Sequence, residues 1–293
     1  MVYQENILIT LDSTNGTLKN GTMKSLIEFN FIGLLKDEKD ILRSYISVLN
    51  AQIPVSFYTI TENNFKLKYV VGGSTFRTIF ITPGNYNGNS LITALIDSFA
   101  NNGDIITASL SSSTGKLFIR SYSGSITYVY NTSTIAPILG LTADISGITV
   151  TFQAPLNLLG VKKLSIKSNS LAISSFTSRT GNRTDTICTI PVIEPPFNMI
   201  SYVNMNDLNK NILRGQVIDS IDIRITDEEN NDIDFNNIDW NITLCLSNER
   251  IDKEKQSLNI YEAIRQMSKI QSNINKDDDN KKLIDEELQL LEK

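Results

Sequence analysis

The sequence contains no histidine among its 293 residues. This absence excludes the serine–histidine–aspartate and cysteine–histidine nucleophile pairs, and it leaves no imidazole base that titrates near neutral pH. A zinc site lacks its usual ligands, because the two cysteines alone cannot fill four positions. A carboxylate- or lysine-based enzyme remains open. However, no catalytic, cofactor-binding or metal-binding residues are predicted, and we expect the protein not to be an enzyme.

Long apolar runs are also missing. No stretch of about 18 apolar residues exists, so no membrane-spanning helix is expected. The opening MVYQENILIT lacks the basic and apolar regions of a signal peptide, so none is expected. The formal net charge is −5. Since a nucleic-acid binder needs a basic face, we expect no direct sequence-specific binding to nucleic acid.

Cysteine is scarce, and its two occurrences, Cys188 and Cys245, both lie in strand-like runs. Unpaired cysteine is among the most frequently buried residue types. We therefore expect two buried free thiols, with a disulfide as the alternative.

Short strand-like segments occupy most of the chain, separated by turn signals such as the Asn-Gly pairs at 15–16 and 20–21. With no helices between most of them, they predict a mainly β protein, either a sandwich or a barrel. The predicted strands are 25–34, 47–60, 64–72, 75–83, 147–153, 162–171, 185–192, 198–205, 217–227 and 238–247.

Two of these strands contain proline, which cannot donate to a sheet ladder. The segment SVLNAQIPVSFYTI contains Pro54, and Ile-Pro-Val recurs at 190–192. The alternation of apolar residues also slips across Leu49 and Asn50, which predicts a bulge or bend there. We expect both Pro54 and Pro191 to mark places where a strand leaves regular pairing.

Residues 83–143 interrupt the strand pattern. Leu91, Leu95 and Phe99 fall on one helical face, with Asn89 or Ser90 as the predicted N-cap and Gly103 near the end. A hairpin with Thr114-Gly115 at its turn and a short apolar helix at 134–141 follow. This order predicts an inserted small α+β subdomain with its own core.

The tail, 249–293, is charged and poor in strand formers. Apolar residues recur every three or four positions and predict an amphipathic helix, and LIDEELQLLEK predicts a second short one. Two interpretations stay open, a solvated extension and a docking arm. The helical positions are Leu258, Tyr261, Ile264, Met267, Gln271 and Ile274.

The densest acidic cluster lies in ITDEENNDIDFNNIDW. A calcium loop would need a glycine at its sixth position and a final bidentate glutamate, and neither is there. We therefore predict a hairpin loop in which Asn and Asp serve the turn. The acidic residues are Asp227, Glu228, Glu229, Asp232, Asp234 and Asp239.

Four tyrosines in or near the insertion offer a second functional interpretation. Tyr86, Tyr122, Tyr128 and Tyr130 could line a stacking groove, although aromatics in small hairpins more often pack across strands. They motivate the alternative of a receptor- or glycan-binding β module. A carboxylate glycosidase is a third class, but no pair of acids stands out for it.

Several segments taken together point to a known family. They are VLNAQIPVSFYTI, PGNYNGNSLITALI, NLLGVKKLSIKSNSL, DTICTIPV with FNMISYVN, and the Trp240-containing SIDIRITDEENNDIDFNNIDWNITLCL. In order and spacing, across roughly residues 22 to 247, they resemble the penton (minor capsid) proteins of virophages and Polinton-type elements, and the Asn- and Ile-rich composition suits a mavirus-like member. The tail has no matching motif.

The resemblance implies a single eight-stranded jelly roll with an inserted subdomain and a C-terminal helical tail. The implied domains are 1–82 (an N-terminal arm and strands B to D), 83–143 (the insertion), 144–248 (strands E to I) and 249–293 (the tail). The strands then fall at B 22–32, C 44–60, D 64–82, E 147–153, F 162–171, G 185–205, H 217–227 and I 238–248.

The function that the resemblance implies is structural. Five copies would form the homopentameric penton at each five-fold vertex of an icosahedral virion, in contact with double-jelly-roll major capsid proteins. The expected location is the capsid vertex, after assembly in the host cytoplasm, and no cofactor is implied.

Overall fold

The computed structural model describes residues 2–35, 41–171, 175–176, 183–205, 210–213, 218–251, 258 and 260–268. The helices are α1 (Gly88–Asn101) and α2 (Ala136–Leu139), and residues 258 and 260–268 are also helical. The strands are β1 (Val2–Asp12), β2 (Thr17–Leu18), β3 (Leu26–Leu35), β4 (Ile41–Pro54), β5 (Lys66–Val71), β6 (Thr75–Phe80), β7 (Ile106–Leu110), β8 (Lys116–Ser121), β9 (Ile126–Val129), β10 (Ile145–Gly147), β11 (Thr149–Pro155), β12 (Lys163–Lys167), β13 (Ser175–Phe176), β14 (Arg183–Thr184), β15 (Thr186–Pro191), β16 (Met199–Val203), β17 (Asn211–Leu213), β18 (Ile218–Thr226) and β19 (Asn241–Ile251).

Two antiparallel sheets form the first module, which we call the sandwich. One sheet has the order β1-β19-β4-β16, and β17 pairs with β4 beside β16. The other has the order β15-β12-β18-β3-β2. Strand β19 pairs with β1 along its whole length, from Val2 opposite Ile251 to Asp12 opposite Asn241. The predicted mainly β sandwich is confirmed, and its strand order is consistent with a jelly roll.

The facing sides of the two sheets enclose one apolar core. Alternation buries every second residue, as in Ile221, Ile223 and Ile225 of β18, which lie at 0% exposure. The first sheet supplies Ile9, Leu11, Ile46, Val48, Ala51, Ile53, Ile200, Ile242, Leu244 and Leu246, and the second supplies Ile27, Phe29, Leu164, Ile166, Ile187, Ile190, Ile218, Ile221, Ile223 and Ile225.

Trp240 closes one end of the sandwich. Its buried indole packs edge-on against Phe29 of the opposite sheet, with 6.2 Å between ring centroids. The indole N–H donates to the Lys24 carbonyl over 2.8 Å, and the Trp240 backbone N–H donates to Ser13 Oγ over 3.0 Å. Because a buried indole N–H needs an acceptor, this residue ties the starts of β3 and β19 to the end of β1.

Strand β1 was not among the strands predicted from sequence, which assigned this region to an N-terminal arm. Its signal is the alternation of Ile7, Ile9 and Leu11 toward the core with exposed Asn6, Leu8 and Thr10. Turns follow it, as the Asn-Gly pairs predict.

Both prolines lie where a strand leaves regular pairing, as expected, although the predicted strand 47–60 continued six residues past Pro54. Pro54 is the last residue of β4 and Pro191 is the last of β15. The expected slip in the alternation of β4 is a β-bulge at Leu49. The adjacent residues Thr243 and Leu244 of β19 pair with Asn50 and Val48, so no residue of β19 lies opposite Leu49. The extra residue bends β4 and keeps its core-facing side chains in register on both sides of the bulge.

A second module lies between β4 and β12 in the chain and has its own core. It contains a four-stranded sheet, β10-β9-β5-β6, and a three-stranded sheet, β11-β8-β7, together with α1 and α2. The buried residues of this core come from the part of the sequence between Ile60 and Phe152. The expectation that 64–82 and 147–153 are sandwich strands D and E is therefore wrong, and the expected insertion bounds of 83–143 are too narrow.

Inside the second module, α1 buries Leu91, Leu95 and Phe99, as predicted. The predicted N-cap was wrong by two to three positions. Asn87 caps the helix, and its side chain accepts from the Ser90 backbone N–H, while Ser90 Oγ accepts from the Asn87 backbone N–H. Gly103 follows the helix with a positive φ of 80°, and the predicted hairpin is β7 and β8.

The two cysteines are free, as predicted, and both are half-buried. Cys188 packs against the sandwich core, and its burial raises the pKa of the thiol. This position favours the protonated, weakly reactive form.

The helical residues 258 and 260–268 expose their side chains, while 269–293, including LIDEELQLLEK, lies outside the described residues. Among the described helices, none is long and apolar enough to cross a membrane.

Gly140 provides a test of packing in the second module. It has a φ of 79°, and an added Cβ would lie 2.1 Å from the Ala154 carbonyl oxygen. We expect Gly140→Ala to lower the free energy of unfolding by about 3 kcal/mol or more, since it combines backbone strain with an overlap against main chain. Gly103→Ala is the matched control, because its φ is 80° but nothing lies within 4 Å; it should cost about 1 kcal/mol. Equal losses in chemical denaturation would contradict the packing explanation.

Asp222 provides a test of the sandwich. Its two oxygens accept from the Asn169 and Ser170 backbone N–H groups, Ser168 Oγ and Asn169 Nδ2. Burial opposes ionisation, but these hydrogen bonds outweigh it and hold the pKa below the usual 3.8. Asp222→Asn loses one acceptor oxygen and should destabilise the protein by about 1–3 kcal/mol.

The pH dependence of the Asp222→Asn effect follows from the lowered pKa. The stabilisation is present above the unfolded-state pKa and is lost as pH falls through the lower folded-state pKa. Denaturation curves should therefore show a constant wild-type advantage at neutral pH that shrinks below about pH 4. An advantage that grows on acidification would contradict the assignment.

Candidate assembly surfaces

The acidic cluster lies in the connection from β18 to β19. The prediction of a hairpin loop is wrong, because the two strands belong to different sheets and the loop crosses from one sheet to the other. Asp227 uses both carboxylate oxygens within the loop: Oδ1 accepts from the backbone N–H groups of Glu229 and Asn231, and Oδ2 accepts from Asn231 Nδ2. Asn236 and Asn230 take positive φ values there. The polar side chains thus shape the turn, which is the role the sequence indicates.

Other carboxylates of the loop are paired with basic side chains. Asp232 lies 2.7 Å from Arg224, and Asp239 lies 2.6 Å from Lys24. Hydrogen bonds from Lys24 and Ser13 hold the pKa of Asp239 below its usual value. Within the described residues, no three acids or cysteines are grouped so as to hold a metal ion.

A cleft of about 570 Å³ separates this loop from the second module. One wall is acidic, with Asp227, Glu228 and Glu229, and the other includes Thr61 and Asn64 of the second module. The second module joins the sandwich beside this cleft, where Ser56 Oγ donates to the Phe235 carbonyl and Phe57 packs edge-on against the Phe235 ring. The loop therefore holds the junction between the modules.

The four tyrosines do not share a surface. Tyr128 is 1% exposed and packs between Phe99 and Phe152 in the second core. Tyr86 is half-buried and donates its hydroxyl to the Thr82 carbonyl. Tyr122 and Tyr130 are 57% and 37% exposed, and the Arg120 guanidinium lies 5.2 Å from the Tyr122 ring centroid. The stacking groove expected for a glycan-binding module is therefore not formed by this set.

One buried polar cluster was not predicted. Asp104, at 2% exposure, accepts from the Tyr69 hydroxyl over 2.6 Å and pairs with Arg77 over 2.7 Å. Burial and the hydrogen bond to Asp104 raise the pKa of Tyr69 to about 12. Since each of these polar groups has a partner, the cluster stabilises the second module and leaves no free group for chemistry.

The surface features that stand out are apolar and lie on opposite edges of the sandwich. Strand β1 forms one edge, and its exposed apolar side chains are Val2, Tyr3 and Leu8, which we call the β1 patch. An edge strand of 11 residues presents a long row of backbone groups without a partner strand in the described sheet.

The opposite edge, at β16, carries a larger set. Ile193, Val203 and Met205 line a groove of about 330 Å³, and Phe197 and Met199 stand exposed at the preceding end of the strand. We call these five residues the β16 patch. Met205 is 94% exposed, Ile193 80% and Phe197 79%. Ile193, Val203 and Met205 share one groove, and clustered apolar side chains at such exposure mark interaction sites in soluble proteins.

A second groove of about 440 Å³ lies on the outer face of the same sheet. Leu8, Leu49 and Cys245 line it together with polar residues, including Asn6 and Lys210. We call it the outer-face groove. It places the Cys245 thiol beside open surface.

Neither a protein-family model nor a curated protein sequence matches the chain. Solved structures do. The mavirus penton protein is 12% identical with a TM-score of 0.47, and the match covers 86% of this chain and 100% of that one. A chain of the Sputnik virophage structure is 14% identical with a TM-score of 0.41, and the match covers 85% of this chain and 98% of that one. The predicted resemblance to virophage penton proteins is confirmed.

Calcium provides a test of the acidic loop. Because Asp227, Asp232 and Asp239 are already engaged by protein groups, millimolar calcium should leave the thermal unfolding temperature unchanged at constant ionic strength. Differential scanning fluorimetry with calcium and with magnesium makes the measurement. An unfolding temperature that rises with calcium concentration, but not with magnesium, would contradict the assignment of these carboxylates to the turn.

Proposed function

We propose that the protein is a structural capsid protein that forms a homopentamer at the five-fold vertices of an icosahedral virion. The observation that carries this proposal is the pair of apolar patches on opposite edges of one sandwich. The sequence motifs supply the family resemblance, and the order of the strands supplies the geometry.

The sandwich is a jelly roll in this proposal, and its strands take the letters B to I. B is β1, C is β3, D is β4, E is β12, F is β15, G is β16 with β17, H is β18 and I is β19. The sheets then read B-I-D-G and C-H-E-F, and the second module is an insertion between D and E. The segments assigned from sequence as H (217–227) and I (238–248) keep those letters as β18 and β19. The segments assigned as B (22–32), C (44–60) and F (162–171) contain β3, β4 and β12, which are now C, D and E.

Assembly into a closed ring explains why the two edges of the sandwich carry different sets of exposed apolar residues. A closed ring needs a heterologous contact, in which one face of each subunit meets a different face of the next. The β1 patch and the β16 patch lie on opposite edges of the same sheet, so one can meet the other between neighbouring copies. Such a contact would also cover two open strand edges, which folded proteins seldom leave bare.

Obligate ring interfaces commonly bury on the order of 2,000 Å² or more. The eight residues of the two patches are a suitable apolar centre for an interface of that size, because aromatic residues and methionine are enriched at interface cores. Phe197, Tyr3, Met199 and Met205 fit this composition. The surrounding major capsid proteins, which the resemblance implies as neighbours, would contact the outside of the ring.

Two matched phenylalanines test the ring. Phe197 in the β16 patch is 79% exposed, and Phe76 in the second module is 76% exposed. Phe197→Asp should weaken ring association at least tenfold, because it places an unpaired charge in an apolar contact. Phe76→Asp adds the same charge at the same exposure and should leave association unchanged.

Native mass spectrometry and sedimentation velocity over a dilution series measure the assembly, with purified major capsid protein added if rings form only in its presence. The wild type should show five copies. A dimer under all conditions, or equal losses from the two substitutions, would contradict the proposal.

A further inference from the structure

The three-stranded sheet of the second module turns one face to its core and the other outward. Strand β8 is the middle strand of this sheet, and its residues alternate between the two faces. On the outward face, basic and aromatic side chains take turns along the strand and just beyond its end. They are Lys116, Phe118, Arg120 and Tyr122, which we call the β8 ladder.

Hydroxyl side chains border the β8 ladder on both sides. Residues directly opposite each other in antiparallel strands point to the same face of a sheet. The four bordering residues, all exposed, are Thr107 and Thr149, opposite Arg120, and Ser109 and Thr151, opposite Phe118. Because a hydroxyl both donates and accepts hydrogen bonds, the rings and cations of the ladder stand between two rows of groups that can bind other hydroxyls.

The charge of this face is opposite to that of the whole protein. The chain has a formal net charge of −5, yet strands β7, β8 and β11 contain two cations and no acid. The Arg120 guanidinium lies 5.2 Å from the centroid of the Tyr122 ring, and this contact helps to orient its planar fork. A fork held in this way matches a carboxylate through two parallel hydrogen bonds. Charge and geometry therefore favour a partner that carries a carboxylate.

The size of the face favours a small ligand over a protein. Three strands about 4.8 Å apart and six residue steps of about 3.4 Å, from Lys116 to Tyr122, give a face of about 10 by 20 Å. A specific protein interface uses about 800 Å² on each partner, which is several times more. Two cations are also few for a nucleic acid, whose binding depends on neutralising a row of phosphates.

We propose that the β8 ladder binds an acidic oligosaccharide, with a sugar carboxylate on Arg120 and sugar rings against Phe118 and Tyr122. The C–H groups on one side of a sugar ring pack on an aromatic ring, and its hydroxyls pair with those of the bordering residues. Ile105 and Ile148, exposed beside the Tyr122 end of the ladder, offer a contact for the methyl group of an acetylated amino sugar. This function lies beyond capsid assembly and does not depend on the ring, since the ladder shares no residue with the β1 patch or the β16 patch.

Ligand-observed NMR with the full-length protein tests the proposal. The acidic probe is a tetrasaccharide of alternating glucuronate and N-acetylglucosamine. The neutral probe is the N-acetylglucosamine tetramer, which has the same length and no carboxylate. Titrations followed by saturation transfer should give a dissociation constant at least ten times lower for the acidic probe. Equal constants, or no binding of the acidic probe at ten millimolar, would overturn the proposal.

Substitutions at exposed positions assign the contacts. Arg120→Ala should weaken binding of the acidic probe at least tenfold and leave the neutral probe unaffected. Tyr122→Ala should weaken both, because stacking on the ring does not depend on charge. Arg43→Ala is the matched control, since it removes the same charge from an exposed position on the sandwich and should change neither. Arg120→Lys keeps the charge but loses the fork, so it should bind the acidic probe at least threefold more weakly than the wild type.

Two further probes carry negative charge without the acidic sugars, a tetraglutamate peptide and a thymidine tetranucleotide. If either binds more tightly than the acidic tetrasaccharide, the partner is an acidic protein or a nucleic acid, and the proposal is wrong. Equal losses in Arg43→Ala and Arg120→Ala, or full binding by Arg120→Lys, would also contradict it. Unchanged thermal unfolding temperatures establish that the variants fold.

Discussion

The buried indole of Trp240 is the constraint on which the arrangement of the two modules depends. Its N–H has to find an acceptor inside the protein, and the Lys24 carbonyl supplies it. This bond fixes the loop that precedes β19, because the chain can enter the strand only from the position that the indole allows. The same loop carries Phe235, which meets Phe57 where the chain leaves β4. The loop that Trp240 helps to hold in the sandwich therefore also contacts the chain where it leaves for the second module.

The local features of the fold were readable from the sequence because their causes are local. Alternating Ile221, Ile223 and Ile225 predict a strand with one buried face, and Pro54 predicts an interruption of regular pairing. The partner of each strand was not readable, because pairing is decided by contacts far apart in sequence. Strand β5 looks like any half-buried strand, yet it joins β9 and β6 in the second module. Strand β1 was missed because exposed Val2, Tyr3 and Leu8 blur its alternation.

The candidate assembly surfaces also divide into features that can be predicted from local sequence and features that depend on the fold. The role of Asn and Asp in shaping the acidic loop was correctly predicted, because it depends on local hydrogen bonds. The hairpin was not, because the sequence does not show that β18 and β19 pair in different sheets. The β16 patch could not be predicted, because Ile193, Phe197 and Met205 have the composition of core residues. Only the fold shows that they stand in solvent. Tyr128 is the opposite case. The sequence allowed it to face a ligand, but in the fold it is enclosed by Phe99 and Phe152.

The second module enters and leaves the sandwich through chain segments that touch, since Gly160 lies against the Thr59 side chain. Its core is separate from that of the sandwich. An inserted unit whose two ends meet makes little demand on its host beyond a single point of attachment. Such a unit can change in sequence, size or shape while the sandwich keeps its register. The junction at Thr59 and Gly160 is thus a natural point of exchange, at which this scaffold can acquire new surface without refolding.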